Sequence, residues 1–156
     1  MSGLETLALV CNIFQVITFS RETLNICKAV YDGRSPDAQL LEKAASLASV
    51  SAEVQAQCLQ SNPQIPSERS LSDIAAKCSV ASRALQDEVQ FLANHQAQGN
   101  LAATLRIAVK IKWRKGRLDR LEKSLNDYQN LFDTQMLMRV WYVIPPSLCT
   151  YLDMNT

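Results

Sequence analysis

The segment from Leu7 to Phe19 constrains the fold of this chain most strongly, because it is apolar on nearly every side when it is read as a helix. Its polar residues are Asn12, Gln15 and Thr18. A helix that is apolar nearly all round must be buried nearly all round. Two solutions meet that demand. The helix forms the centre of a helical bundle, or it is released into a membrane or against a partner.

The length and the flanks of this segment favour a core helix. At a rise of ~1.5 Å per residue it would be about 20 Å long, against a hydrocarbon core of ~30 Å. We therefore predict that it does not span a bilayer in the resting state. It has no basic residues before it, it carries Glu5, and it continues in helical rhythm through Lys28, which is not typical of a secretory signal peptide.

The cysteines also indicate a cytoplasmic protein. They are odd in number, they lie far apart, and none forms a CxxC pair, so they are not the framework of a disulfide-rich fold. We interpret them as buried thiols of a reducing compartment. The five are Cys11, Cys27, Cys58, Cys78 and Cys149.

Signals for helix starts and ends divide the chain. Ser2 with Glu5 forms a capping box, which predicts a first helix from Gly3 to about Tyr31. Ser35-Pro36 predicts the start of a second helix, with serine as the N-cap and proline in the first helical position. Beyond a Pro-containing loop, Ser70 with Asp73 predicts the start of a third helix, which ends near Gly99.

The second half of the chain predicts one or two further helices. A fourth segment starts at Leu101, and Gly116 marks either a bend before a fifth helix or an interior position of one unbroken helix. Pro145-Pro146 ends any helix there. We therefore predict an all-α bundle of four to five helices over residues 1–143 and a loose C-terminal tail over residues 144–156.

Apolar residues at spacings of three and four predict which face of each helix is buried. The predicted core positions are Leu40, Ala44, Leu47, Ser51, Val54 and Cys58 in the second helix, Leu71, Ile74, Cys78, Ala81, Leu85, Val89 and Leu92 in the third, and Leu118, Leu121, Leu125, Tyr128 and Phe132 in the last.

Nothing in the sequence predicts an active site. It has no phosphate-binding loop, no GxGxxG turn, no HExxH and no GxSxG motif. We interpret His95 as a surface residue, and Asp87 and Glu88 as solvated carboxylates that point in different directions. The expectation is a protein without catalytic residues, cofactor, metal or small-molecule substrate, with a helical enzyme that lacks any known motif as the alternative.

Positive charge is concentrated in residues 106–123. Eight basic residues and two acidic ones give this segment a charge of +6 in a chain of net charge +1. An anionic lipid surface attracts such a cluster, and Trp113 within it suits the headgroup level. Nucleic acid is a weaker interpretation because no zinc-finger or RNP signature occurs. A solvated ridge, neutralised by the acidic remainder of the chain, is the alternative.

Two stretches resemble a known family. LALVCNIFQVITF (7–19) and KAVYDGRSPDAQLLEKAASLASVSAEVQ (28–55) are similar to the N-terminal HeLo-like domains of fungal STAND proteins, which precede NACHT NTPase or ankyrin-repeat regions. The shared positions are Leu7, Leu9, Asn12, Gln15 and Phe19, then Tyr31, Gly33 and Ser35, and the basic segment 112–125. The resemblance covers about residues 3–139.

This resemblance implies a bundle akin to the necroptosis effector, acting as the output domain of an innate-immunity or incompatibility receptor. Such domains are thought to oligomerise and to expose their first helix to a membrane. Since no NTPase or repeat region follows residue 139 in this sequence, the resemblance also implies a truncated paralogue, a decoy, or a domain recruited in trans by a NACHT- or ankyrin-type partner.

Our leading hypothesis is therefore a cytoplasmic, non-enzymatic effector domain that is recruited to the inner face of the plasma membrane. We predict an insertion or oligomerisation face and an anionic-lipid-binding cluster. The rival hypothesis is a protein-binding adaptor whose first helix stays in the core and whose last helix pairs with another helix. The predicted residues are Leu7, Ile13, Phe14, Ile17 and Phe19 for the face, and Lys110, Lys112, Arg114, Lys115 and Arg117 for the cluster.

Overall fold

The computed structural model describes residues 3–33, 38–60, 66–96 and 104–143, and within them the chain is an all-α bundle, as predicted. Several predicted features lie outside the described residues. They are the caps at Ser2 and Ser35-Pro36, the side chains of His95 and Arg106, Cys149, and the C-terminal tail. The helices are α1 (Gly3–Tyr31), α2 (Ala38–Gln60), α3 (Pro66–Gln96) and α4 (Thr104–Val143).

The fourth and fifth predicted segments form a single helix. Gly116 lies inside α4, and no neighbouring atom lies within 4 Å of the place where a Cβ would be. No close approach of a neighbouring element therefore requires glycine at this position.

The ends of α1 and the start of α3 follow from local chemistry. α1 ends at Tyr31, as predicted, because Gly33 adopts a φ of 98° and the Asp32 and Gly33 amides donate to the Lys28 and Val30 carbonyls. The predicted start of α3 at Ser70 is wrong. α3 begins one turn earlier, at Pro66, and the Ser70 hydroxyl donates back to the Pro66 carbonyl.

The helices are arranged around a central pair. α1 and α3 contact each other, and each of them also contacts both α2 and α4, whereas α2 and α4 do not touch within the described residues. Buried Ser20 and Thr23 on α1, and Ser79 and Ser82 on α3, are small side chains that allow two helices to approach closely.

The predicted core faces of α2, α3 and α4 are confirmed. Every predicted position on α3 is buried. On α2 and α4 most predicted positions are buried, and the others, Ala44, Cys58, Leu121 and Tyr128, are partly buried against the core. The fully buried members are Leu40, Leu47, Ser51 and Val54 on α2, and Leu118, Leu125 and Phe132 on α4.

Candidate membrane-contact face

α1 is buried on one side only, so the expectation that it is buried nearly all round is wrong for its N-terminal half. Leu4, Leu7, Cys11 and Phe14 are exposed, with Leu7 at 59% and Phe14 at 58%. Their spacing of three and four residues places them on one side of the helix, and we call them the apolar stripe. The other three helices do not cover this side.

The five residues of the predicted insertion face therefore do not share one surface. Leu7 and Phe14 lie in the apolar stripe, whereas Ile13 is fully buried and Ile17 is 3% exposed. Phe19 packs partly buried against the core, with the Lys43 ammonium 5.9 Å from its ring centroid. The sequence interpretation missed Leu4, and its prediction that Cys11 is a buried thiol is wrong, because Cys11 is exposed. Both residues fit the period that relates Leu7 to Phe14.

By length and composition α1 is a helix that can cross a membrane. It contains an 18-residue window with a mean hydropathy of 1.4, of which 28% is buried in the bundle. Such a window is longer than the Leu7–Phe19 segment that we judged too short. The core helix of a soluble bundle passes the same test, so α1 is compatible with both a membrane and a bundle interior.

α1 and α4 run antiparallel, and their contact continues the exposed surface onto α4. A groove of about 260 Å³ between them is lined by Phe14, Ile17, Phe132 and Asp133, among others. Leu137 lies one turn beyond Asp133 on α4 and is exposed. The end of the bundle that carries the apolar stripe therefore presents apolar side chains from both helices.

The predicted lipid-binding cluster divides into engaged and exposed residues. Arg114 and Arg117 both form ion pairs with Glu88, and Lys115 pairs with Asp32 of the turn after α1. Lys110 and Lys112 are exposed, and the Lys110 ammonium lies 5.6 Å from the ring centroid of Phe91. Acidic residues elsewhere in the bundle therefore neutralise part of the cluster.

Glu88 is the main correction to the sequence analysis. We predicted a solvated carboxylate, but Glu88 has 0% exposure, while its neighbour Asp87 is exposed as predicted. The sequence contains a signal for this burial that we did not use. Glu88 lies three residues after Leu85 and four before Leu92, and both leucines are core residues of α3. The helical period therefore places Glu88 on the buried face.

Three hydrogen bonds to the Glu88 carboxylate tie three helices together. Oε2 accepts a hydrogen bond from Tyr31 Oη at 2.9 Å and one from Arg114 Nη1 at 3.0 Å, and Oε1 accepts one from Arg117 Nη1 at 3.4 Å. The Arg114 guanidinium stacks on Phe91, 3.3 Å from its centroid. Burial and then the bond to Glu88 raise the pKa of the Tyr31 hydroxyl above its usual range, so it stays a donor.

Further basic residues lie on the same side of the molecule as the apolar stripe. Asp119 of α4 faces α1, since it pairs with Lys28 at 2.9 Å. Lys112 and Lys123 lie seven residues before and four residues after Asp119, which places them beside it on the helix surface. Both are exposed and form no ion pair within the described ranges. We call this side of the molecule the α1–α4 face. It consists of the apolar stripe together with Leu137, Lys112 and Lys123.

The apolar and basic parts of the α1–α4 face lie at opposite ends of the bundle. Asp119, which lies beside Lys112 and Lys123, pairs with Lys28, and Lys28 is 14 residues beyond Phe14. At ~1.5 Å per residue Phe14 and Lys28 are about 21 Å apart along α1. A flat surface can touch both only when the bundle lies on its side.

The cysteines differ in burial, and this difference allows the packing of α1 to be tested. Burial raises the pKa of Cys78 to about 12, and burial, with the Glu88 charge second, raises the pKa of Cys27 to about 12. Since the thiolate is the nucleophile, we expect both to resist iodoacetamide at pH 8 in the folded protein, while exposed Cys11 reacts. Peptide mass spectrometry measures each rate, and rapid labelling of Cys27 would contradict this packing.

The same shifts predict a loss of stability in alkali. In the unfolded chain these thiols ionise near their ordinary pKa, whereas in the folded protein they stay neutral up to about pH 12. Their contribution to the free energy of unfolding is therefore complete below the unfolded pKa and falls as the pH rises from there towards 12.

Comparison of the chain with protein-family models, with curated proteins and with solved structures finds no match.

Proposed function

We propose that this chain is a non-enzymatic effector domain that binds anionic membranes through its α1–α4 face. The observation that carries the proposal is the exposed apolar stripe on α1, with basic residues at the far end of the same face. Contiguous apolar side chains on the surface of a soluble domain mark contact sites. Apolar contact combined with basic residues is the usual basis of binding to a membrane interface.

The magnitudes are sufficient for reversible binding. Full burial of a Leu or Phe side chain contributes about 2 kcal/mol, and partial burial contributes less. Each basic residue close to an anionic leaflet adds about 1 kcal/mol. Phe14 and Leu7 at one end, with Lys112 and Lys123 at the other, therefore give a membrane affinity that depends on both apolar contact and lipid charge.

The wider setting of the proposal comes from the resemblance to HeLo-like domains. We propose that the domain serves a fungal innate-immunity or incompatibility system, where it oligomerises or meets a NACHT- or ankyrin-type partner at the inner face of the plasma membrane. The apolar stripe that contacts lipid in the monomer is also a surface through which copies of the domain would associate.

One observation supports the adaptor hypothesis as a second candidate function. The core face of α1 is packed inside the bundle, as a permanently buried helix requires. The predicted pairing of the last helix with a partner helix has less support, because Leu118, Leu125 and Phe132 are buried against the bundle. An adaptor of this fold would therefore use an exposed apolar surface such as the apolar stripe, and it would bind no lipid.

Co-sedimentation with liposomes tests the proposal. We expect the protein to sediment with vesicles of phosphatidylcholine and phosphatidylserine at low salt, less at high salt, and little with phosphatidylcholine alone. Dye leakage from the same vesicles reports membrane damage. Absence of binding to either vesicle at low salt would overturn the proposal in favour of the adaptor.

Phe14→Glu is the informative variant. It places a charge in the apolar stripe, and we expect it to reduce vesicle binding about tenfold or more, because an exposed apolar contact is lost and a like charge faces the anionic lipid. The matched control is Val80→Glu, which makes a similar change at an exposed apolar residue of α3. Equal losses in both variants would show that net charge, and not the α1–α4 face, determines binding.

A further inference from the structure

Two arginines of the basic segment, Arg114 and Arg117, are less available to a membrane than its exposed lysines. Arg114 has a side chain that is 15% exposed, and that of Arg117 is 34% exposed. Both guanidinium groups point inward and contact the carboxylate of Glu88, which is closed to solvent. In this conformation Glu88 holds both guanidinium groups, and Arg114 is the more enclosed of the two.

Arg114 has binding capacity that Glu88 does not use. Its Nε is buried and has no hydrogen-bond partner within the described part of the chain, while Nη1 donates to Glu88. A guanidinium presents its donors as a planar fork that matches a carboxylate or a phosphate through two parallel bonds. The geometry at Glu88 uses only part of this fork.

We propose that the Glu88 carboxylate occupies, in the resting bundle, the place that a lipid phosphate takes when the basic segment binds an anionic membrane. The inference rests on the proposed membrane function and concerns how that function is regulated. Glu88 competes from within the chain for Arg114 and Arg117. Resting protein binds through Lys112 and Lys123. Since Arg114 and Arg117 turn toward α3, they join these lysines only after they leave Glu88 and α4 turns toward the membrane.

Exchange of these partners also changes how the helices are held. Glu88 accepts hydrogen bonds from Tyr31 of α1 and from Arg114 and Arg117 of α4, so its contacts join the C-terminal end of α1 to α3 and α4. A buried carboxylate that keeps only the Tyr31 hydroxyl has no opposite charge beside it, so its burial becomes unfavourable. Membrane binding by the arginines therefore loosens this junction between the three helices.

A pair of neighbouring substitutions tests the competition. Glu88→Gln removes the internal charge but keeps the size of the side chain, and Asp87→Asn makes the same change of net charge at an exposed position on α3. We expect Glu88→Gln to bind vesicles of phosphatidylcholine and phosphatidylserine about thirtyfold more tightly, the effect of two added arginines. Asp87→Asn should change binding less than about twofold, because exposed charges far from the membrane are screened.

Each outcome bears on the inference. Tighter vesicle binding by Glu88→Gln, without a similar increase in Asp87→Asn, supports the competition even if the wild-type protein binds weakly. If wild type binds and the two variants match each other, the competition is refuted while the membrane function stands. If no form binds, both proposals fail.

Hydrogen exchange of the wild-type protein gives a second test that does not depend on the stability of Glu88→Gln. We expect the same anionic vesicles to accelerate amide exchange around Tyr31, around Glu88 and over residues 110–117. Inorganic phosphate alone should not do so, because it supplies no membrane surface to hold the basic residues. Unchanged exchange in vesicle-bound protein would overturn the inference, as would equal acceleration by free phosphate.

Discussion

Replacement of Ile17 by Asp is expected to unfold this protein, whereas Phe14→Asp on the same helix leaves it folded. Ile17 is 3% exposed and packs in the core, so the variant loses its apolar contacts and buries a carboxylate without a partner. These two effects together cost about 5 kcal/mol or more, which is comparable to the whole stability of a small domain. Circular dichroism during thermal denaturation measures the loss.

Phe14→Asp is the control for this prediction. More than half of the Phe14 side chain already faces solvent, so we expect the free energy of unfolding to fall by only about 1 kcal/mol. The contrast separates the two sides of α1 that the sequence could not separate. Equal destabilisation by both variants would mean that Phe14 is a core residue and that the apolar stripe is not a free surface.

The second large effect is expected at the Glu88 cluster. Arg114→Gln leaves a fully buried carboxylate with Tyr31 and the more distant Arg117, and removing one partner of a buried ion pair costs about 3 kcal/mol. Chemical denaturation measures this loss. Lys112→Gln, an exposed change on the same helix, should lie within about 0.5 kcal/mol of wild type.

A double variant identifies the cause. Glu88→Gln combined with Arg114→Gln removes both charges, so most of the stability lost in Arg114→Gln should return. We expect a coupling energy of at least about 1 kcal/mol between the two positions. Additive losses in the double variant would show that Arg114 stabilises the bundle through its packing on Phe91 and not through the Glu88 carboxylate.

Periodicity was sufficient to predict the helices and most of the core. The spacing of Leu71, Ile74, Cys78 and their successors identified the buried face of α3, because a helix repeats every 3.6 residues and its apolar side must meet its neighbours. α1 ends at Tyr31 as predicted, and Gly33 just beyond it adopts a positive φ. Both predictions rest on local chemistry that the neighbouring residues in the chain determine.

The candidate site was predicted less completely, for two physical reasons. α1 is apolar on all sides, so its own pattern cannot show which side the other helices cover, and Ile13 and Phe14 are indistinguishable in the sequence. The fate of a charge depends on residues far away in the chain, and Glu88 meets Arg114 across 26 positions. A cluster of basic residues therefore does not reveal which of them are neutralised inside the fold.

The central claim, that the α1–α4 face lies against an anionic membrane, is tested most directly by a fluorescent probe on Cys11 in the apolar stripe. Cys58 and Cys149 would be replaced by Ser so that labelling is confined to Cys11. A comparison protein carries Cys11→Ser and the probe at Val80→Cys. Val80 is exposed on α3, and since α1 and α3 pack through their buried faces, their exposed faces point away from each other.

With vesicles of phosphatidylcholine and phosphatidylserine, we predict a blue shift of the Cys11 probe and its quenching by a lipid-attached quencher, while the Val80→Cys probe stays in water. A Cys11 probe that remains in water on vesicle-bound protein, or equal quenching at the two positions, would contradict the account.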